Sequence, residues 1–76
     1  MDSLPVIKPR EVINALLRGG FYLHHQTVSH ARLIHKARSD LKVTLPVHSK
    51  DIPKGTLRRI IRQADLTVEE FLKLLD

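Results

Sequence analysis

The chain reads as an α+β domain: a small three-stranded antiparallel sheet with helices packed on one face, in the order α-β-β-β-α-α. Both ends of the chain carry apolar residues at helical spacing. The middle alternates apolar and polar residues with the period of two that a half-buried strand requires. The segments between these runs are short and polar or glycine-rich, which suits tight turns. Helices covering one face of a small sheet is the compact way to bury all the apolar stripes at once.

The first element follows Met1 to Lys8, a stretch with Pro5 and no periodicity that reads as a flexible lead-in or a short extended segment. Pro9 suits the first position of a helix, where its missing N–H is not needed. Val12, Ile13, Leu16 and Leu17 then share one helical face, and Gly19-Gly20 stops the helix, so it is expected over residues 9–18. Phe21 to Gln26 is the first strand, with Phe21, Leu23 and His25 expected on one face and Tyr22, His24 and Gln26 on the other. In His30 to His35, Ala31 and Leu33 oppose His30, Arg32 and Ile34. Lys36 to Asp40 is a polar turn. Leu41 to Val47 alternates again, with Val43 and Leu45 against Lys42 and Thr44. Three short strands joined by tight turns make a meander. After a loop over residues 48–53, Leu57, Ile60, Ile61 and Ala64 repeat at helical spacing from Pro53 onward. Thr67 and Glu70 form a capping box for the last helix, with Val68, Phe71, Leu72 and Leu75 as its stripe.

With 76 residues the chain is expected to be one domain, residues 1–76. A domain of this size buries only about 60% of its unfolded surface. There is no Trp, one Tyr and two Phe, so the core must be aliphatic. The absence of cysteine rules out disulfides and thiolate chemistry and fits a reducing cytoplasm. No run of ~18 apolar residues and no signal-peptide pattern is present, so a soluble, cytoplasmic chain with no membrane partner is expected. Thirteen Lys and Arg against eight Asp and Glu give a net charge of +5 and a pI near 10.1. Such a balance suits nucleic acid, an anionic membrane or an acidic protein.

Thr27-Val28-Ser29-His30 lies in the turn between the first two strands, where a titratable imidazole is within reach of a ligand. The plain alternative is that His30 is a polar strand residue. Lys54, Arg58 and Arg62, spaced by four with Arg59 beside them, form a basic ridge. Such a ridge is either a solvated helix face or a surface that tracks phosphates. Lys54-Gly55 at the helix start adds exposed amides that suit an anion. Arg32 shares the expected face of His30. Tyr22 is either a half-buried strand residue or a base-stacking one. A metal site is not expected. His24, His25, His30, His35 and His48 are spread over strands and a loop, and the odd spacing of His30 and His35 points them to opposite faces.

Taken together, the helix ending in Gly-Gly-Phe, Ser29-His30, Val43-Thr44-Leu45-Pro46-Val47-His48, Pro53-Lys54-Gly55-Thr56-Leu57 and Thr67-Val68-Glu69-Glu70-Phe71-Leu72 resemble the HicA family. These are the small toxins of HicA–HicB toxin–antitoxin pairs. The resemblance runs from about Lys8 to Leu75. It implies a fold like the double-stranded-RNA-binding domain and a ribosome-independent mRNA endoribonuclease. It also implies a HicB-like antitoxin that masks the active site, with a higher-order toxin–antitoxin complex among the expected assemblies. The family's catalytic histidine lies in a Gly-Ser-His motif, which Ser29 and His30 match. The motif glycine is Val28 here; if that glycine serves a positive φ or a close approach of RNA backbone, Val28 hinders both. The family's usual glycine after the second helix is Asp65 here.

Cleavage of RNA needs no cofactor, because the ribose 2′-hydroxyl is the nucleophile. The protein must move a proton and stabilise phosphate charge. Histidine suits the first task, with an ordinary pKa of about 6.5, and Lys and Arg suit the second. His30 is accordingly the expected general base or acid, and Ser29, Arg32, Lys54, Arg58 and Arg62 are the expected RNA contacts. His48, His35 and His24 are unranked candidates for a second catalytic group. Two other readings stay open: a non-catalytic RNA-binding module, that is, a degenerate toxin, and an interaction domain for an acidic partner.

Overall fold

A computed structural model describes residues 4–48 and 50–75. Helix α1 spans Pro9–Arg18, strands β1, β2 and β3 span Phe21–Gln26, His30–His35 and Lys42–Pro46, and helices α2 and α3 span Lys54–Gln63 and Val68–Lys73. The sheet is antiparallel in the order β1-β2-β3. The α+β class and the element order therefore match the sequence reading, and the third strand starts and ends one residue inside the expected range.

Each helix end has a local cause. Pro9 opens α1, and the Glu11 carboxylate accepts the Lys8 N–H at 2.9 Å. The Thr67–Glu70 capping box forms as expected: Glu70 N donates to Thr67 Oγ1 at 3.0 Å and Thr67 N donates to Glu70 Oε1 at 2.8 Å. Helix α2 ends in a Schellman motif. Asp65 N donates to the Arg62 carbonyl at 3.0 Å and Leu66 N to the Ile61 carbonyl at 3.1 Å. Asp65 accordingly takes the left-handed conformation, φ 58°, that glycine would adopt at less cost. Its carboxylate accepts from Arg38 Nη1 at 2.7 Å, tying the end of α2 to the β2–β3 turn.

The core lies between the sheet and the helices. Phe21, Ala31, Leu33, Val43 and Leu45 bury one sheet face against Val12, Ala15 and Leu16 of α1, Leu57, Ile60 and Ile61 of α2, and Phe71 of α3. Residues 4–8 form no helix or strand, yet Leu4 and Ile7 are buried in this core and Ile52 N donates to the Ile7 carbonyl at 2.9 Å. Met1 to Ser3, the rest of the expected lead-in, lie outside the described residues.

The expected face assignment of β1 is corrected. Leu33 pairs with Leu23 and Arg32 with His25, so His24 is an extra residue in the ladder. A bulge of this kind inverts the alternation after it. His25 therefore joins Arg32 on the outer sheet face, and Gln26 joins Ala31 on the helix side. Leu23 keeps the helix-side face, opposite Leu33, but stays 43% exposed.

Candidate active site

The turn between β1 and β2 is organised by one hydroxyl. Thr27 N donates to the His30 carbonyl at 2.8 Å and closes the hairpin. Thr27 Oγ1 accepts from His30 N at 3.1 Å and from Ser29 N at 3.3 Å. The sequence favours this arrangement because threonine can satisfy backbone amides two and three residues on. Val47 N donates to the Ser29 carbonyl at 2.9 Å and fixes the turn against the end of β3. Val28, at the apex, is 97% exposed. Among the described residues Asp65 alone has a positive φ without being glycine, so Val28 does not occupy the backbone region that demands glycine.

His30 is exposed at the start of β2. Its Nδ1 lies 2.9 Å from Ser29 Oγ, and either atom can donate. A serine hydroxyl can rotate to serve both imidazole tautomers. When it donates to Nδ1, Nε2 carries the proton; when it accepts from Nδ1–H, Nε2 is a bare acceptor. The same pair can thus hold the ring in place through both halves of a proton transfer, with Nε2 left for a ligand.

An open cleft of about 300 Å³ separates His30 from α2 and is lined by His30, Thr44, Leu45, Pro46, Thr56, Arg59 and Gln63. In the sequence Arg59 is only a neighbour of the ridge, yet it is the arginine that lines this cleft. Helical geometry explains the difference. At 100° per residue, the buried stripe Leu57, Ile60, Ile61 divides α2 into two flanks. Thr56, Arg59 and Gln63 lie on one, and Lys54, Arg58 and Arg62 lie on the other. The three expected ridge residues are exposed, but none of them lines the His30 cleft.

Arg32 falls two residues beyond His30 on the same sheet face, on the order of 7 Å along the strand. Its register neighbours are His25 and Thr44. Together with Lys42, these residues make the face away from the helices basic, and the three strands contain no Asp or Glu. Ile34 is the buried apolar residue of that face, between Tyr22 and Lys42 in register.

Among the described residues no other histidine lines the His30 cleft. His35 ends β2, roughly 16 Å along the strand. Its Nδ1 accepts from Ala37 N at 3.1 Å and Arg38 N at 3.2 Å, and its ring meets Phe21 edge-on at 5.0 Å. These contacts make His35 a structural residue of the β2–β3 turn. His24 sits at the bulge with its ring 6.2 Å from Tyr22. His48 lines a second cleft, of about 610 Å³, with Lys8, Arg10, Glu11, Ile13 and Gln26 at the start of α1. Among the described residues no group of three or more His, Cys, Asp or Glu could hold a metal ion. Arg38 is committed elsewhere: its hydrogen bond to Asp65 raises its pKa above the ordinary value, with smaller contributions from the charges of Asp40 and Asp65 and opposed by desolvation.

No helix among the described residues is long and apolar enough to cross a membrane. No curated protein matches the chain closely enough to be counted a relative. The family profile described as the HicA toxin of bacterial toxin–antitoxin matches residues 9–66, from the start of α1 through the end of α2 and the Schellman turn. Members of that family are the toxins of toxin–antitoxin pairs, are generally ribonucleases, and are paired with an antitoxin. With three quarters of its length matched and the element order to go with it, the chain belongs to the HicA toxin family.

Proposed function

We propose that this protein is a cytoplasmic, ribosome-independent mRNA endoribonuclease in which His30 moves the proton. The observation that carries the reading is the Ser29–His30 pair, held by Thr27 at the mouth of a cleft with a basic lining and no carboxylate. In the reaction the ribose 2′-oxygen forms a bond to the adjacent phosphorus and the bond from phosphorus to the 5′-oxygen breaks. One proton leaves the 2′-hydroxyl and one is delivered to the departing 5′-oxygen. His30 Nε2 takes the first as general base, or supplies the second as general acid. No cofactor or metal enters this scheme. Ser29 orients the ring, and Arg32 binds RNA along the outer sheet face. Lys54, Arg58 and Arg62, on the far flank of α2, hold backbone phosphates outside the cleft, where they add salt-dependent affinity without taking part in the reaction.

A HicB-like antitoxin is the proposed protein partner, and masking of the His30 cleft is how it would silence the toxin. The degenerate-toxin reading rested on Val28, and the ordinary φ at that residue removes half of its support. Expression of the protein without an antitoxin should arrest growth, and His30→Ala should abolish the arrest while leaving the fold intact by circular dichroism. A folded His30→Ala protein that still arrests growth would show that another group carries the activity.

A further inference from the structure

We propose that Arg59, with Thr56 and Gln63, forms a phosphate subsite opposite His30 that binds the scissile phosphodiester. This inference rests on the ribonuclease reading above and deepens it, by assigning the group that stabilises the phosphate charge. Three observations meet at the same place. The cleft lining supplies a guanidinium, an amide and the hydroxyls of Thr44 and Thr56, and it contains no Asp or Glu. That donor set suits an anion, and an arginine fork matches two oxygens of one phosphate. Among the described residues Arg59 has no salt-bridge partner, whereas Arg38 is bound to Asp40 and Asp65. Finally, the helix flank that carries Arg59 is set: Leu57, Ile60 and Ile61 bury the adjoining stripe of α2 in the core, which turns the Arg59 flank toward β3 and His30.

The placement has a chemical consequence. Charge on the two non-bridging oxygens grows as the 2′-oxygen attacks, so a guanidinium held across from the proton-transfer group stabilises the transition state more than the bound substrate. Arg58 and Arg62, only one and three residues away, lie on the wrong flank for this and act on affinity alone.

Two measurements test the subsite. In the first, inorganic phosphate is titrated into the isotope-labelled protein. Amide shifts at His30, Thr56 and Arg59 are expected, with the apparent Kd at least tenfold weaker in Arg59→Ala. Shifts confined to other residues, or an unchanged Kd in Arg59→Ala, would overturn the subsite. In the second, single-turnover and steady-state cleavage of a labelled RNA are compared across variants. Arg59→Ala should lower kcat by roughly 10²-fold with KM changed less than about threefold, and Arg59→Lys should recover only part of it. Lys73→Ala, at an exposed lysine of α3 that does not line the cleft, should leave kcat and KM near the parent values. Cleavage by Arg59→Ala at the parent rate, with His30→Ala inactive, would sink the inference and leave the ribonuclease reading standing. A parent protein that binds phosphate in the cleft and cleaves no RNA would do the reverse.

Discussion

Thr27→Val removes one oxygen from the turn that carries His30 and keeps the branched shape of the side chain. That oxygen accepts the amides of Ser29 and His30 at 3.3 and 3.1 Å. Both amides are exposed, so water can replace the threonine, and each bond is worth on the order of 0.5–1 kcal/mol net. The turn conformer that presents His30 should therefore lose about 1–2 kcal/mol against other conformers. The fold should lose less. The bond from Thr27 N to the His30 carbonyl is untouched, and the turn lies outside the core. The melting temperature should fall by no more than about 5 °C. If cleavage requires the presented conformer, the rate should drop roughly five- to thirtyfold, since 1.36 kcal/mol is a factor of about ten. Thr27→Ser keeps the acceptor and should stay within twofold of the parent. The assay is cleavage of a labelled RNA beside thermal unfolding of the same preparations. A Thr27→Val protein as fast as the parent would refute the claim that this hydroxyl positions His30. A melting temperature lowered by much more than ~10 °C would show that the residue supports the fold instead.

Other parts of the molecule respond differently. Val28→Gly should leave cleavage within about threefold of the parent, because no positive φ is needed at that residue and the side chain stands in solvent; a large gain would show that valine had been blocking the RNA. His35→Ala should destabilise the protein by about 2 kcal/mol in denaturant unfolding, since it removes the acceptor of two turn amides and the ring packed on Phe21. It should leave the kcat of the folded fraction unchanged, whereas loss of kcat would return His35 to the catalytic candidates. At Asp65, glycine should stay within about 1 kcal/mol of the parent while valine, a branched residue forced to φ 58°, should cost on the order of 1–2 kcal/mol. Equal stability of the two variants would mean that the Schellman turn re-forms without the left-handed residue.

The sequence made α1 legible because Pro9 and Gly19-Gly20 mark its ends chemically and the stripe between them has a single period. The same holds for α3, where the Thr67–Glu70 box fixes the start. Strand β1 was legible only in part. A bulge is one extra residue with no side-chain signature of its own, so the alternation could not announce that His25, rather than His24, faces Arg32. The Ser29–His30 pair could be singled out as a site because both residue types carry the chemistry themselves. The role of Thr27 could not, because its effect passes through the backbone. On α2, the spacing of Lys54, Arg58 and Arg62 is visible as a ridge, and the two flanks of the helix can be drawn from the sequence. Which flank looks at His30 depends on the side of β3 against which the buried stripe packs, a tertiary fact that local periodicity does not contain. The place of Arg59 in the cleft is invisible to spacing for that reason, and the packing of Leu4 and Ile7 is tertiary in the same sense.

The ribonuclease reading is tested most directly by incubating a labelled single-stranded RNA in EDTA with purified, antitoxin-free parent protein and, beside it, with folded His30→Ala. Cleavage by the parent and none by the variant is the predicted result. Cleavage by both would show that His30 is not the catalytic group. Cleavage by neither, with both proteins folded, would contradict the proposed activity and favour a toxin-family scaffold that binds RNA without cutting it.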